Sequence, residues 1–316
     1  MNLNTKIILD KITAFFNFFV NYGSNMSSPI NGKPLVPLII FTLFGLFIER
    51  APFVFALDGT NDTTPGEYSN FIASGDITRF EGETLYYDIS FLWFENAASA
   101  KVKFFKNRGR YYSTLEASTK GFVGFFTSYR KHFYKTEFEI IDGGKKIRPK
   151  TFLRQVTIGS QLETTRHFFD YGTRTHNWSV YVNDDKVETG ERNIPPDNAF
   201  HDILTAFYNV RNSAYGPLSK GNSFKIKTIP EKGHDEISVD IWSEQETEIF
   251  RVLEGRERKD EILLNIIVPK EIFKSKTGEL LVWSSKHYIP VETTVKDYIL
   301  LGDLHAKFIR REISLP

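Results

Sequence analysis

The feature that most constrains the fold is a period-two alternation of apolar and polar residues that begins near Gly82 and recurs in short segments along the rest of the chain. In residues 84–94, Leu85, Tyr87, Ile89, Phe91 and Trp93 share one face of an extended strand, and Thr84, Asp88 and Ser90 share the other. Tyr86, Leu92 and Phe94 make that second face partly apolar. Further strands are expected at 102–105, 111–117, 130–141, 152–158, 162–171, 178–182, 224–229, 237–242, 249–253, 262–268, 280–283, 289–295 and 304–309. Turn residues separate them: Asn107-Arg108-Gly109, Asp142-Gly143-Gly144, Asn183-Asp184-Asp185, Lys232-Gly233 and Thr277-Gly278. Strands joined this tightly pair antiparallel, because a parallel crossover needs about a dozen residues or more.

One stretch breaks the rhythm. After Pro195-Pro196, Asp197 is placed to cap a helix over 198–211, with Phe200, Ile203, Leu204, Phe207 and Val210 at spacings of three and four. A second short helix or a tight corner is expected at 121–128. The pattern predicts a mainly β fold: one large curved antiparallel sheet, half-barrel or open-barrel-like, with one packed α-helix. Residues 81–316 contain no linker and read as a single domain. Residues 57–80 are polar, lack a sustained period and read as a flexible leader.

The N-terminal segment carries a different signal. Residues 35–48 (LVPLIIFTLFGLFI) are apolar, Lys33 precedes them, and Val54-Phe55-Ala56 offers small residues for cleavage. This is the layout of an export signal. At fourteen residues it falls short of the roughly 20 that a membrane-spanning helix needs. Residues 1–56 are therefore expected to be a signal cut after Ala56, with a retained inner-membrane anchor as the alternative. Met1 and Met26 are rival start sites, and Met26 gives the more ordinary n-region. Residues 5–20 could form an apolar helix, although translated upstream sequence is the simpler reading.

Removal of residues 1–56 takes four basic and two acidic residues and shifts the formal charge from +1 to −1. A near-neutral, mixed surface argues against nucleic acid, which needs a basic footprint. The chain has no cysteine, which excludes disulfides, thiolate metal sites, a cysteine nucleophile and lipid attachment through cysteine. None of the seven histidines (His132, His167, His176, His201, His234, His287 and His305) forms a close metal-ligand pair with another. No nucleophile elbow, phosphate-cradling loop or dinucleotide fingerprint occurs. Hence no catalytic residue, metal ligand or cofactor is assigned. The aromatic load (29 Phe and 14 Tyr) suits either a thick core or a concave apolar face that receives a lipid or acyl chain.

Five segments taken in order resemble an exported bacterial family, domain of unknown function 3108. They are the opening Gly82-Glu83-Thr84-Leu85-Tyr86-Tyr87 run leading to Trp93, and Glu116-Ala117-Ser118-Thr119-Lys120-Gly121 followed by Phe125-Phe126. Next come the helix from Asp202 through Leu204, Ala206 and Tyr208 to Arg211, the stretch Gly278-Glu279-Leu280-Leu281-Val282-Trp283 with Ile289-Pro290-Val291, and Gly302-Asp303-Leu304-His305-Ala306. Where the family often has an acidic residue after the Trp-x-Ser stretch, this chain has Ser285-Lys286-His287. The resemblance implies an exported, β-rich domain without an established activity, with a sheet similar to the half-barrel of lipoprotein carriers. Arg211, Trp93 and Trp283 are the candidate ligand-binding residues; Asp202 and Arg211 lie on opposite sides of the helix and must find partners elsewhere.

The expected function is that of an exported, periplasmic, non-enzymatic envelope protein, or one anchored in the inner membrane by an uncleaved N-terminal segment. It would bind a lipid-like or other apolar ligand on the concave sheet. The alternatives are a structural or assembly module with envelope proteins as partners, and a hydrolase-type enzyme.

Overall fold

Alternation and turn chemistry produce one continuous antiparallel sheet. The computed structural model describes residues 71–231, 233–273, 275–298 and 302–314. The proposed export signal, the apolar segment at 5–20 and the leader up to residue 70 lie outside the described residues. The strands are β1 (Glu83–Phe91), β2 (Phe94–Asn107), β3 (Arg110–Thr119), β4 (Lys131–Ile141), β5 (Lys146–Ile158), β6 (Gln161–Asp170), β7 (Thr175–Val182) and β8 (Asp185–Asn193). They continue with β9 (Ser223–Glu231), β10 (His234–Ile241), β11 (Ile262–Ile267), β12 (Glu279–Ser284), β13 (Pro290–Tyr298) and β14 (Gly302–Ile313). Helices α1 (Gly121–Phe126), α2 (Ile203–Arg211) and α3 (Glu244–Leu253) lie between them.

The sheet order is β8-β7-β6-β5-β4-β3-β2-β1-β14-β13-β12-β11-β10-β9. Each strand pairs with its sequence neighbour, apart from the join of β1 to β14 at the centre and the break between β8 and β9. The sheet is therefore an open barrel, as expected. Its two edges come close: Arg192 of β8 donates to the Pro230 carbonyl of β9 at 3.3 Å. The segment leading into α2 occupies the gap, where the His201 N–H donates to the Lys227 carbonyl at 2.9 Å and the Thr228 hydroxyl donates to the His201 carbonyl at 2.7 Å.

The β8–β9 connection thus carries α2 across the concave face, and buried polar side chains fasten it there. Asp202 caps the helix by accepting from the Leu204 and Thr205 N–H groups, and also accepts from the Thr136 hydroxyl of β4 at 2.7 Å. Asn209 binds β5 on both sides, accepting from the Ile147 N–H at 2.9 Å and donating to the Ile147 carbonyl at 2.8 Å. The helix begins at Ile203, not residue 198, because Asp202 and not Asp197 supplies the cap. Leu204 and Tyr208 face a core with Phe80, Leu85, Phe104, Phe138 and Ile147.

Several expectations need correction. Residues 249–253 are helical, not a strand: Ser243 and Glu246 form a reciprocal capping box that starts α3. A second sizeable helix therefore joins the one expected. Strand β8 was absent from the sequence reading because DKVETGERN is exposed on both faces and shows no apolar period. Its charged side chains suit an unpaired edge. The leader's expected end at residue 80 falls inside the fold, since Ile77 and Phe80 form a 3-10 turn and are buried in the core. Residues 84–94 span two strands, turning at Leu92, where φ is 56°. Two matched glycines are structural: a Cβ on Gly82 or Gly278, both at positive φ, would strike the carbonyl oxygen of Ser314 or Val268.

Candidate functional site

The fastened side of α2 leaves its other side facing inward over the sheet. Ile203, Phe207 and Val210, at positions i, i+4 and i+7, are only half-buried. On a surface helix such a stripe would carry polar residues. Here it looks onto Ile89, Ala100, Leu115 and Ala117 of β1–β3, Leu304 and Ala306 of β14, and Ile266 of β11, which are likewise half-buried. Between these surfaces lies a cavity of about 380 Å³. Its floor is low because small side chains sit side by side: Ala100 pairs with Ala117, and Ala98 and Ala306 flank Ile89. Ile226, Ile237, Val239, Leu264, Leu280, Val282 and Val295 close the far wall.

The polar lining is sparse and one-sided. Arg130, His132, Arg154 and Arg211 reach the cavity, and no carboxylate lines it. The His132 Nδ1 lies 3.1 Å from the Tyr134 hydroxyl. Arg154 donates to Tyr134 and pairs with Glu163 at 2.8 Å. Burial pushes the Tyr298 hydroxyl up, against the opposing pull of Arg130, which hydrogen-bonds to it. A wider depression of about 680 Å³ lies on the outer face of the same strands, among Tyr86, Asp88, Lys101, Glu116, Lys131 and Arg310. Its charges are mixed and in part paired, as in Lys101–Glu116 at 2.9 Å.

Arg211 lines the cavity, but its charge is used inside the fold. Its guanidinium meets Glu83 of β1 at 2.5 and 3.2 Å, and its Nε donates to the Tyr288 carbonyl at 3.0 Å. Arg311 of β14 shares the same carboxylate at 2.8 Å. Neither candidate tryptophan lines the cavity. Trp93 is half-exposed at the β1–β2 turn, against Phe94. Trp283 alternates with the cavity residues Leu280 and Val282 along β12, and so lies on the opposite face. There α3 covers it through Phe250, Arg256 stacks 4.5 Å from its ring centre, and its indole N–H donates to Glu254 at 2.8 Å. Sequence reasoning missed Glu83, Asn209 and Arg130; the one usable signal was the every-second-residue series of Arg130, just before β4, with His132 and Tyr134 on the inner face of that strand.

Among the described residues no three His, Asp or Glu side chains converge to hold a metal ion. The closest histidines, His167 and His176, lie 3.0 Å apart between Nδ1 and Nε2. They stack with Phe152 and Phe169, and His176 also meets the tilted ring of Trp178. No helix of the described residues is long and apolar enough to cross a membrane.

A family model described as a protein of unknown function, DUF3108, matches residues 86–303. Among solved structures, the chain is similar to a β-barrel-like protein of the domain of unknown function DUF1849 from Brucella abortus. That likeness has a TM-score of 0.42 and 9% identity, and it covers 74% of this chain and 98% of the other. No curated protein matches the chain.

Proposed function

The chain belongs to the DUF3108 family of proteins of unknown function, and we propose that it is an exported binding protein that holds a lipid-like ligand in the cavity beneath α2. The observation that carries this reading is the half-buried apolar stripe of Ile203, Phe207 and Val210 facing equally half-buried apolar strands across an unfilled space. Apolar surface left open to water in this way is costly, at roughly 25 cal/mol per Å². A ligand chain would cover it. The volume lies near the lower end of the roughly 300–1,000 Å³ typical of small-molecule pockets. The apolar block at 35–48 followed by Val54-Phe55-Ala56, which has the layout of an export signal, and the lack of cysteine support periplasmic work without a lipid anchor.

The reading predicts that the chain binds a fluorescent apolar probe such as N-phenyl-1-naphthylamine, and that a long-chain alcohol displaces it. Ala117→Phe, which fills the floor without touching the backbone ladder, should weaken binding at least tenfold while leaving the thermal midpoint within a few degrees. Equal binding by the wild type and the filled variant would place the probe elsewhere and defeat the reading.

A second reading has its own support. On α3, Ile249, Val252 and Leu253 are 56%, 70% and 75% exposed and form an apolar strip on the outside of the sheet. Such a strip suits a protein partner in the cell envelope. A hydrolase reading has less to rest on, because the cavity lining sets no acid beside a base.

A further inference from the structure

We infer that the cavity's ligand is a single-chain anionic amphiphile, with its acid headgroup held at Arg130 and its chain lying beneath α2. This rests on the cavity being a ligand site and adds a polarity to it. Every ionisable group in the lining is a base or a tyrosine. Two of the three arginines are already ion-paired, Arg211 with Glu83, which also holds Arg311, and Arg154 with Glu163. Arg130 is not: among the described residues no carboxylate lies within ion-pair distance of it. Its known partner is the neutral Tyr298 hydroxyl, and its Nε is buried without an acceptor. A guanidinium at an apolar wall without a counter-charge is unfavourable, and an incoming oxyanion would relieve that cost.

The backbone holds Arg130 in place. Ser128 and Tyr129 both take positive φ, 56° and 47°, in the corner after α1, a rare conformation for two consecutive non-glycine residues. The corner is tied by the Tyr129 N–H to the Gly124 carbonyl at 2.6 Å and by the Gly159 N–H to the Ser128 carbonyl at 2.9 Å. The Thr119 N–H then donates to the Arg130 carbonyl at 3.0 Å. His132 follows two residues on along the inner face, within reach of the same headgroup. The apolar residues beneath α2 begin beyond it, so head and chain have separate places. A ligand chain that dries the cavity would also strengthen the ion pair by lowering the local dielectric. The modest volume favours one chain over two.

The test compares cis-parinaric acid with its methyl ester, read by probe fluorescence on the full chain. The wild type should bind the acid at least tenfold more tightly than the ester. Arg130→Met should remove that preference by weakening the acid alone, and Arg130→Lys should retain most of it. Ala117→Phe should weaken both probes. Equal wild-type affinity for acid and ester, or an acid affinity unchanged in Arg130→Met, would overturn the headgroup assignment and leave the cavity reading standing. Failure of both probes to bind would overturn both readings. The wild-type comparison needs no variant, so it holds even if Arg130→Met folds poorly.

Discussion

Glu83→Gln is expected to remove about 3–5 kcal/mol of folding stability, the largest effect of any single substitution considered. The carboxylate is fully buried and serves two guanidiniums at once, Arg211 at the end of α2 and Arg311 in β14. Neutralising it leaves two cations in a low-dielectric core, with the Phe80 and Phe207 rings 4.6 and 5.3 Å from the Arg211 guanidinium. Arg211→Met should cost less, because Glu83 keeps Arg311 and the methionine can fill the apolar volume. That order separates a shared anion from a simple pair. Urea unfolding of the two variants measures it; an Arg211→Met as destabilised as Glu83→Gln would show that Arg211 alone carries the interaction.

The second large effect is acid instability. His167 and His201 are held down at about 3, and His176 at about 4, in each case by burial first. Nearby positive charge adds to this: Arg192 acts on His167 and His176, and Lys146 on His201. The unfolded chain takes up these protons near pH 6.5, whereas the folded chain refuses them until far lower pH. Stability is therefore complete above about pH 6.5 and falls as the pH drops toward the folded values. Each histidine contributes about 1.4 kcal/mol per pH unit, so three approach about 4 kcal/mol per unit near pH 5. Asp202 and Glu261, pushed up by burial, act in the opposite sense and offset part of this at the acid end. Since a domain holds only about 5–15 kcal/mol, unfolding is expected between pH 5 and 4. The double variant His167→Leu/His176→Leu should lose about two protons' worth of the slope. A stability that stays level from pH 7 to 4.5 would contradict the assignment.

The strand framework was largely legible because turns such as Asn107-Arg108-Gly109 and the period-two faces are local signals. The helix was legible from Phe207, Val210 and their neighbours, since a 3.6-residue period needs no tertiary knowledge. What lay beyond reach was non-local. Glu83 and Arg211 are 128 residues apart and meet only because β1 joins β14 beside the end of α2. The same closure decides that Trp283 faces away from the cavity: it shares β12 with cavity residues but has the opposite parity, and no local pattern says which parity is concave. Strand β8 was invisible because a solvated edge needs no apolar period. The capping box at Ser243 was present in the sequence and should have outweighed the strand-like apolar residues at Ile249 and Val252.

The central claim is that the space beneath α2 is occupied in the working protein. Native mass spectrometry of the chain purified from its own host tests it most directly. The account predicts bound species of one long-chain class on the wild type, lost in Ala117→Phe although that variant remains folded. A wild-type chain carrying no adduct, or one whose adduct persists unchanged in the filled variant, would contradict it.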